Sequence, residues 1–330
     1  MAELIKEGGE RVQNEIVKLV KRAWAEETIP KEWQSAVIVP IHKKKDKACC
    51  ENYRGISLLN VCYKILSQLI NLKLKPYVRE IVGEYQAGFM PGKSTTDQIF
   101  IMRQIWEKMW EYNREVYTAF IDFSKAYDSI NRKHLYNILH DFKVPKKLCK
   151  MVQVCTEKTR AKVRYKGQLS EEFDILTGVR QGDACSPALF NLVMEKILRE
   201  CESDEERGIQ LGVEHKWIAF ADDVAVVAED KEHLRRMIVK IKQNAKKVGL
   251  EINENKTEVM KMARNGAEET EFIVDDLTFK TTEKFKYLGS WFTADSDRKI
   301  DIRERIMAAS RCFHGIKISL KEGPYLKTQN

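Results

Sequence analysis

The sequence predicts an α+β fold, because helical and strand-like segments mix along the chain without a regular β-α-β alternation. Short apolar, β-branched runs at 217–220 and 224–227 flank Ala221-Asp222-Asp223, a pattern typical of two strands that meet at a tight turn. Stretches with apolar residues three and four positions apart precede and follow this hairpin and predict amphipathic helices. With 330 residues, the chain can bury a large core and form two or three subdomains.

The composition is that of a mildly basic globular protein. Its 57 Lys and Arg exceed its 49 Asp and Glu, which gives a net charge of +8 and favours a polyanionic partner, although many soluble proteins have a similar excess. The eight cysteines lack the spacing of zinc ligands, so we expect free thiols in a reducing compartment. The sequence shows neither a signal peptide nor an apolar run of membrane-spanning length, so we expect an intracellular protein without a membrane partner.

In the first part of the chain, apolar periodicity and helix breakers define the expected elements. An N-terminal helix is followed by a short strand at 36–39 and by a helix that begins near Cys62 and is expected to stop at Pro76. A loop at 88–97 then opens the next helix, and the strand-like run 117–123 follows it.

In the second part, two short helices at 131–142 and 146–158 precede an extended basic region near residue 165. A glycine-rich loop then leads to a helix that we expect Ser186 to cap and Pro187 to start. After the Asp222-Asp223 hairpin we expect one helix and then two strands, near 271–279 and 285–292. The last helix places its apolar residues on one stripe, which includes Ile302, Ile306, Phe313 and Ile316.

Asp122, Asp222 and Asp223 form the main candidate for a chemical site. Neighbouring anions on half-buried strands are costly unless cations neutralise them. Three aspartates on two adjacent strands can hold two divalent ions about 3.5–4 Å apart, an arrangement used for phosphoryl displacement. Taken singly, each motif also fits a solvated turn or an unrelated aspartate at a strand end. Their occurrence together favours the metal site.

Seven segments of the chain carry recognisable motifs: 51–59, 84–89, 119–129, 178–183, 220–223, 249–257 and 287–289. Their order resembles that of reverse transcriptases, in particular the non-LTR, LINE-type retrotransposon enzymes. The first two segments resemble blocks of the fingers and the other five resemble motifs of the palm. The resemblance extends from about residue 30 to about residue 310, and motifs that occur in matching order and structural context are a specific signal.

This resemblance implies a right-hand polymerase fold with an antiparallel palm sheet. The implied division is fingers at 1–112, palm at 113–139, a return to the fingers at 140–176, palm at 177–292 and a partial thumb at 293–330. The implied activity is RNA-directed DNA polymerisation in retrotransposition, with an RNA template, a DNA primer and dNTPs as partners. We expect nuclear action, with the cytoplasm as the alternative.

Three other functional hypotheses remain open at this point. The first is a retroelement-derived protein that binds RNA or an RNA–DNA hybrid without polymerising. The others are a splicing maturase and an RNA-dependent RNA polymerase, and the aromatic residue Tyr127 disfavours the latter.

By resemblance, Asp122 and Asp222 bridge two Mg²⁺ ions, with Mn²⁺ as the alternative metal. Asp223 and the backbone carbonyl of Phe123 complete the ligand set. Hard carboxylate oxygens suit Mg²⁺, which keeps some water and takes phosphate oxygens as further ligands. Asp128 falls outside this pattern, and we expect it to cap a helix or anchor a loop.

The resemblance also implies residues that contact the nucleotide. Tyr127 would exclude a 2′-hydroxyl from the sugar site, and Gln181 and Gly182 would lie against the nucleotide. Arg54 would reach the triphosphate, and Lys256 would act as a general acid near the leaving pyrophosphate.

Six residues are expected to contact nucleic acid. Tyr287, Leu288 and Gly289 resemble a primer-grip hairpin. The last helix is expected to pack its apolar stripe on the palm and to direct basic side chains to the primer–template backbone: Arg298, Arg305 and Arg311.

Overall fold

A computed structural model describes residues 2–43, 46–202, 208–264 and 270–322. It confirms the α+β class, because its helices and strands mix without regular alternation. The helices are α1 (Ala2–Glu7), α2 (Gly9–Glu26), α3 (Lys31–Gln34), α4 (Val61–Ile81), α5 (Thr95–Glu111), α6 (Ala126–Ser129), α7 (Arg132–Asp141), α8 (Lys146–Thr156), α9 (Ser186–Cys201), α10 (Lys231–Lys247) and α11 (Lys299–Glu322). A short 3-10 helix covers Cys50–Asn52.

The strands fall into two larger sheets and two small hairpins. They are β1 (Ser35–His42), β2 (Tyr53–Leu58), β3 (Val116–Ile121), β4 (Thr159–Tyr165), β5 (Gln168–Leu169), β6 (Phe173–Ile175), β7 (Ile209–Leu211), β8 (Val213–His215), β9 (Trp217–Phe220), β10 (Asp223–Ala228), β11 (Glu258–Met262), β12 (Glu271–Val274), β13 (Leu277–Thr281), β14 (Lys284–Tyr287) and β15 (Ser290–Thr293).

The six-stranded sheet, with the order β12-β13-β11-β3-β10-β9, carries the candidate site. The central strand β3 pairs antiparallel with both β10 and β11. Five of the six residues of β10 and five of the six residues of β3 are buried, as expected for strands covered on both faces. The predicted tight hairpin is therefore confirmed as β9 and β10, and it lies beside the strand that leads to Asp122.

The second sheet joins segments that are far apart in the sequence. Strand β1 pairs antiparallel with β2 and parallel with β4, and β4 in turn pairs with β5 and β6. The chain therefore leaves this sheet after β2, forms β3, and returns to it at β4.

Helix α9 lies at the centre of the main core. Twelve of its side chains are buried, and it packs against α4, α7 and α10. A helix with this many buried side chains is stable only when it is enclosed by other elements. A second core lies on the other face of the six-stranded sheet, where Phe120 stacks on Phe285 with ring centroids 4.0 Å apart.

Three expected elements differ from the structure. Helix α4 continues through Pro76, since the buried Leu74 and Val78 keep its apolar face packed despite the hydrogen bond that proline removes. The N-cap of α9 is Cys185, and the Ser186 hydroxyl instead donates to the Arg180 carbonyl at 2.7 Å. The two strands expected after α10 are in fact two hairpins, β12–β13 and β14–β15.

The expected packing of the α11 stripe is wrong. Its four residues within the described side chains are each more than half exposed: Ile302, Ile306, Phe313 and Ile316. The helix is instead held at its first turn by the buried Asp301. This carboxylate accepts hydrogen bonds from Arg103 at 2.7 Å, from the Ser290 hydroxyl at 3.0 Å and from the Trp291 amide at 2.8 Å. These polar contacts fix the direction of α11 without burying its stripe.

Candidate active site

Strand register brings Asp122 and Asp223 to the same edge of the six-stranded sheet. Val224 lies opposite Ile121 in the β3–β10 pair. Asp223, which precedes Val224, and Asp122, which follows Ile121, are therefore neighbours. Asp222 lies in the turn between β9 and β10, directly after Ala221, whose φ is +57°. Asp122 and the adjacent pair Asp222 and Asp223, which lie about 100 residues apart in the sequence, therefore occupy one end of two adjacent strands.

The site concentrates negative charge beside the packed core, although the side chains of Asp222 and Asp223 remain partly exposed to solvent. Burial raises the pKa of Asp222, and Asp122 raises it further, whereas Arg54 and Lys256 lower it. Burial also raises the pKa of Asp223 to about 6, with repulsion from Asp222 and Asp122 in the same direction. The protein alone therefore does not fully compensate these carboxylates, and a bound cation would relieve both penalties.

Lys256 is the nearest cation to the first aspartate. Its Nζ lies 3.1 Å from Asp122 Oδ2. The surrounding turn also holds the Asp122 backbone, since its amide donates to Thr257 Oγ1 at 3.2 Å and its carbonyl accepts from the Asn253 amide at 2.8 Å. The structure therefore places Lys256 next to the Asp122 carboxylate, a contact that the sequence alone did not predict.

The donor set fits a divalent ion that takes part of its coordination from a substrate. Within the described residues, no three His, Cys, Asp or Glu side chains converge closely enough to hold a metal by themselves. Mg²⁺ is commonly bound in this way, by one or two carboxylates together with water and phosphate oxygens. Phe123 lies opposite Ile252 in an isolated antiparallel bridge. The hydrogen bonds of this bridge are donated by the Ser124 and Asn253 amides, and they do not use the Phe123 carbonyl, which can therefore act as a ligand.

Tyr127 lies beside the carboxylates in a fixed orientation. Its ring stacks on Phe190 of α9 with centroids 4.6 Å apart and an interplanar angle of 6°. Its hydroxyl is buried and has no hydrogen-bond partner among the described residues. Burial raises the pKa of this hydroxyl, and the negative charge of Asp222 raises it further. The ring is thus a rigid wall close to Asp222.

Gln181 and Gly182 form a loop that contacts β2. The Gln181 carbonyl accepts a hydrogen bond from the Ser57 amide at 2.8 Å. Gly182 has a φ of +111°, and a Cβ there would lie 2.9 Å from the Ser57 carbonyl oxygen. Glycine is therefore required by the strand that it meets, independently of any nucleotide.

Asp128, expected to cap a helix or anchor a loop, is linked to this loop. Its side chain hydrogen-bonds to Gln181, while burial raises the pKa of its carboxyl. Both residues line an open cleft of about 390 Å³ between β1–β2 and the segment that leads to α9. Arg54 lies exposed on β2, close enough to Asp222 to lower the pKa of that carboxyl.

A buried ion pair between Arg180 and Asp183 supports the Gln181-Gly182 loop from the protein core. Asp183 accepts hydrogen bonds from the hydroxyls of Tyr63 and Ser67 and from the Cys185 amide. Arg180 lies 3.5 Å from the Asp183 carboxylate and places its guanidinium 4.4 Å from the centre of the Tyr63 ring. The sequence analysis did not predict this pair. The only indication of it in the sequence is that Arg180 and Asp183 flank Gln181 and Gly182.

The expected primer-grip hairpin is β14–β15. Tyr287 is buried, and its hydroxyl donates to the Ile218 carbonyl of β9 at 2.8 Å. Leu288 and Gly289 form the turn, with φ values of +47° and +88°, and Gly289 is exposed. Tyr287 thus attaches the hairpin to the strand that leads to Asp222, whereas Leu288 packs against the second core and Gly289 faces solvent.

The three arginines expected to contact nucleic acid differ in their surroundings. Arg298 pairs with Glu107, and Arg305 lies 3.0 Å from Asp301. Arg311 is exposed on α11. Two of the three are therefore already paired with carboxylates, and only Arg311 has no carboxylate partner among the described residues.

A comparison with protein families identifies the domain that contains this site. Residues 41–292 match the model of the reverse transcriptase (RNA-dependent DNA polymerase) family. The chain belongs to the reverse transcriptase family. This domain includes the three aspartates, Tyr127, the Gln181-Gly182 loop and both strands of the β14–β15 hairpin up to residue 292.

Related sequences are encoded by retrotransposons. The chain is 30% identical over 253 residues to the Pol polyprotein of the type-2 retrotransposable element R2DM of Drosophila melanogaster, which covers 74% of this chain and 24% of that protein. It is 25% identical over 297 residues to the RNA-directed DNA polymerase of the mobile element jockey of the same species, covering 86% and 31%. The predicted relation to non-LTR reverse transcriptases is confirmed. The chain spans about a quarter of the first relative and just under a third of the second.

Solved structures show the same fold. Telomerase from Candida tropicalis, solved in complex with a fragment of telomeric RNA, aligns with a TM-score of 0.57 at 14% identity, over 87% of this chain and 48% of that one. The predicted right-hand polymerase fold is confirmed. All eight cysteines are free, as expected, and none of the described helices is both long and apolar enough to cross a membrane.

Replacing Asp223 with Asn should stabilise the metal-free enzyme at high pH. The folded-state pKa of about 6 lies above the ordinary value of about 3.9, so ionisation of Asp223 destabilises the fold as the pH rises through this window. We therefore expect the difference in melting temperature, Asp223→Asn minus parent, to be more positive at pH 8 than at pH 4.5 in thermal melts with a chelator.

Asp276→Asn is the matched control. Lys242 lowers the pKa of this exposed carboxyl, so its loss should not stabilise the protein at pH 8. An Asp223→Asn melting temperature that differs from the parent by the same amount at both pH values would contradict the repulsion described for this site.

Proposed function

We propose that this chain is an RNA-directed DNA polymerase domain that extends a primer 3′-hydroxyl with dNTPs on an RNA template. One observation carries the proposal: the β3–β10 register brings Asp122 and Asp223 together at one sheet edge beside Asp222, where burial and mutual repulsion raise the pKa of Asp222 and of Asp223. Membership of the reverse transcriptase family supports the reaction class.

The proposed cofactor is a pair of Mg²⁺ ions, held by the side chains of Asp122, Asp222 and Asp223 and the carbonyl of Phe123. When bound, divalent ions lower the pKa of the attacking hydroxyl and stabilise charge on the leaving pyrophosphate. Lys256 lies next to Asp122 and is proposed to act as the general acid that donates a proton to the leaving group.

The other residues of the site are proposed to bind and select the nucleotide. Arg54, exposed and close to Asp222, is placed to contact the triphosphate. Tyr127, held by Phe190, would block a 2′-hydroxyl. Gln181, supported by Asp128 and the buried ion pair below, would contact the nucleotide beside the open cleft.

The sheets support the proposed subdomain division. The six-stranded sheet with the carboxylates would be the palm, at 113–139 and 177–292. The sheet that unites β1, β2 and β4 would be the fingers, at 1–112 and 140–176, since β4 returns to pair with β1. Residues from 293 onwards, with α11, would begin the thumb and direct Arg311 to the nucleic-acid backbone.

Asp122→Asn and Asp222→Asn should each lower primer extension by more than about 100-fold, because each removes a ligand on which most of the charge stabilisation depends. The measurement is single-turnover extension of a DNA primer on an RNA template with Mg²⁺ and dNTPs. Circular dichroism would establish that the variants are folded.

The surface substitution Asp276→Asn makes the same chemical change away from the site and should leave the rate unchanged. Substantial extension by either metal-site variant, or equal extension by the parent in a chelator, would refute the assignment. If the parent binds an RNA–DNA hybrid but never extends it, the non-polymerising alternative is correct.

Tyr127→Ala should reduce discrimination against ribonucleotides by about 10-fold or more, because a smaller side chain removes the overlap with a 2′-hydroxyl. The quantity to measure is the ratio of kcat/KM for dNTP to kcat/KM for the matching rNTP.

Tyr127→Phe keeps the ring and its stacking on Phe190 and should therefore keep the parent ratio. If alanine and phenylalanine give the same ratio as tyrosine, the ring does not select the sugar.

A further inference from the structure

The segment between α4 and α5 pairs with the strand that leads into the catalytic turn. The Ala219 amide donates to the Tyr85 carbonyl at 2.9 Å, and the Ala87 amide donates to the Ala219 carbonyl at 2.8 Å. Gln86 thus lies in a parallel bridge opposite Ala219 of β9. This short extension of the sheet ends directly behind the turn that carries Asp222.

The side-chain amide of Gln86 satisfies both polar groups of Ala221. Its Oε1 accepts from the Ala221 amide at 2.7 Å, and its Nε2 lies 3.3 Å from the Ala221 carbonyl oxygen, to which it donates. The same Oε1 accepts from the Gly88 amide at 2.8 Å. Gln86 is only 1% exposed, so no water can replace these bonds without opening the core.

Ala221 needs this support because its backbone is unfavourable. Its φ of +57° lies in the left-handed region, which a residue with a Cβ rarely adopts. The turn must also hold Asp222 and Asp223 next to each other against their repulsion. A neutral amide can stabilise the turn without adding another negative charge.

The backbone of Gly88 packs directly against the backbone of Ala221. A Cβ on this residue would lie 2.1 Å from the Ala221 nitrogen, so the segment can approach the turn only through glycine. The Gly88 carbonyl accepts a hydrogen bond from Asn191 of α9 at 2.8 Å. The segment is therefore fixed between the core helix α9 and the catalytic turn.

We propose that Gln86 is a positioning residue, which holds Ala221 in its left-handed conformation and thereby sets where the Asp222 and Asp223 carboxylates point. This inference rests on the proposed polymerase function, because its catalytic consequence is the geometry of the metal ligands. Groups that orient metal ligands affect metal affinity or activity by about 10- to 100-fold.

The main variant is Gln86→Met, which is similar in size and lacks both hydrogen-bonding groups. The matched control is Gln98→Met. Gln98 is also a buried glutamine, 2% exposed, but its Nε2 donates to the Tyr85 carbonyl at 3.3 Å and its amide does not reach the turn. Both variants lose a buried amide, so a purely structural role predicts similar effects for the two.

Two measurements separate positioning from general stability. The first is hydrogen–deuterium exchange at the 221–223 backbone of the full chain without nucleic acid or nucleotide. The second is the Mg²⁺ concentration that gives half-maximal primer extension, measured below the melting temperature of every variant.

For Gln86→Met we expect faster exchange at the turn and a 10- to 100-fold higher half-maximal Mg²⁺ concentration. Gln98→Met should match the parent in both, even if its melting temperature falls as far. Gln86→Glu can still accept from the Ala221 and Gly88 amides, so its exchange should lie between those of Gln86→Met and the parent.

Parent-like exchange at the turn in Gln86→Met would overturn the inference, as would equal shifts in the Mg²⁺ requirement for Gln86→Met and Gln98→Met. The hydrogen–deuterium exchange measurement does not require catalytic activity. An inactive parent would therefore contradict the proposed function, while the exchange of the Ala221 amide would still decide the role of Gln86.

Discussion

Repulsion among Asp122, Asp222 and Asp223 is the constraint on which the rest of the structure depends. This repulsion raises the pKa of Asp223, in the same direction as its partial burial. The strands that carry them bury nearly all of their side chains, and each fully buried Val, Leu or Ile contributes roughly 1.5–3 kcal/mol. A few such residues in β3 and β10 outweigh the repulsion. The sheet can therefore hold three carboxylates together in a form that is stabilised when a cation binds.

Parts of the chain far from the two strands complete the site. Lys256 and Arg54 reduce the negative field from opposite sides, one from the turn before β11 and the other from β2. Gln86 reaches the back of the turn from the segment before α5, and Tyr287 ties β14 to β9 through the Ile218 carbonyl. Each contact crosses between elements that are distant in sequence. The position of the carboxylates is thus a property of the whole packed domain.

Features that depend on local sequence could be predicted, whereas those that depend on tertiary partners could not. Apolar runs around Ala221 predict the β9–β10 hairpin, since strand periodicity is local. The course of α4 through Pro76 depends on burial of Leu74 and Val78, and the exposed stripe of α11 follows from anchoring at Asp301. The need for glycine at 182 comes from the β2 carbonyl that it meets, and the contact of Gln86 with Ala221 has no signal in the sequence around either residue.

The central claim is that the carboxylates at the β3–β10 edge form a divalent-metal site for nucleotide addition. The most direct measurement is an anomalous difference map from crystals of the protein with an RNA template, a chain-terminated DNA primer, a matching dNTP and Mn²⁺. We predict two peaks about 3.5–4 Å apart, bounded by Asp122, Asp222 and the triphosphate. A correctly paired nucleotide with no Mn²⁺ at these carboxylates would contradict the account.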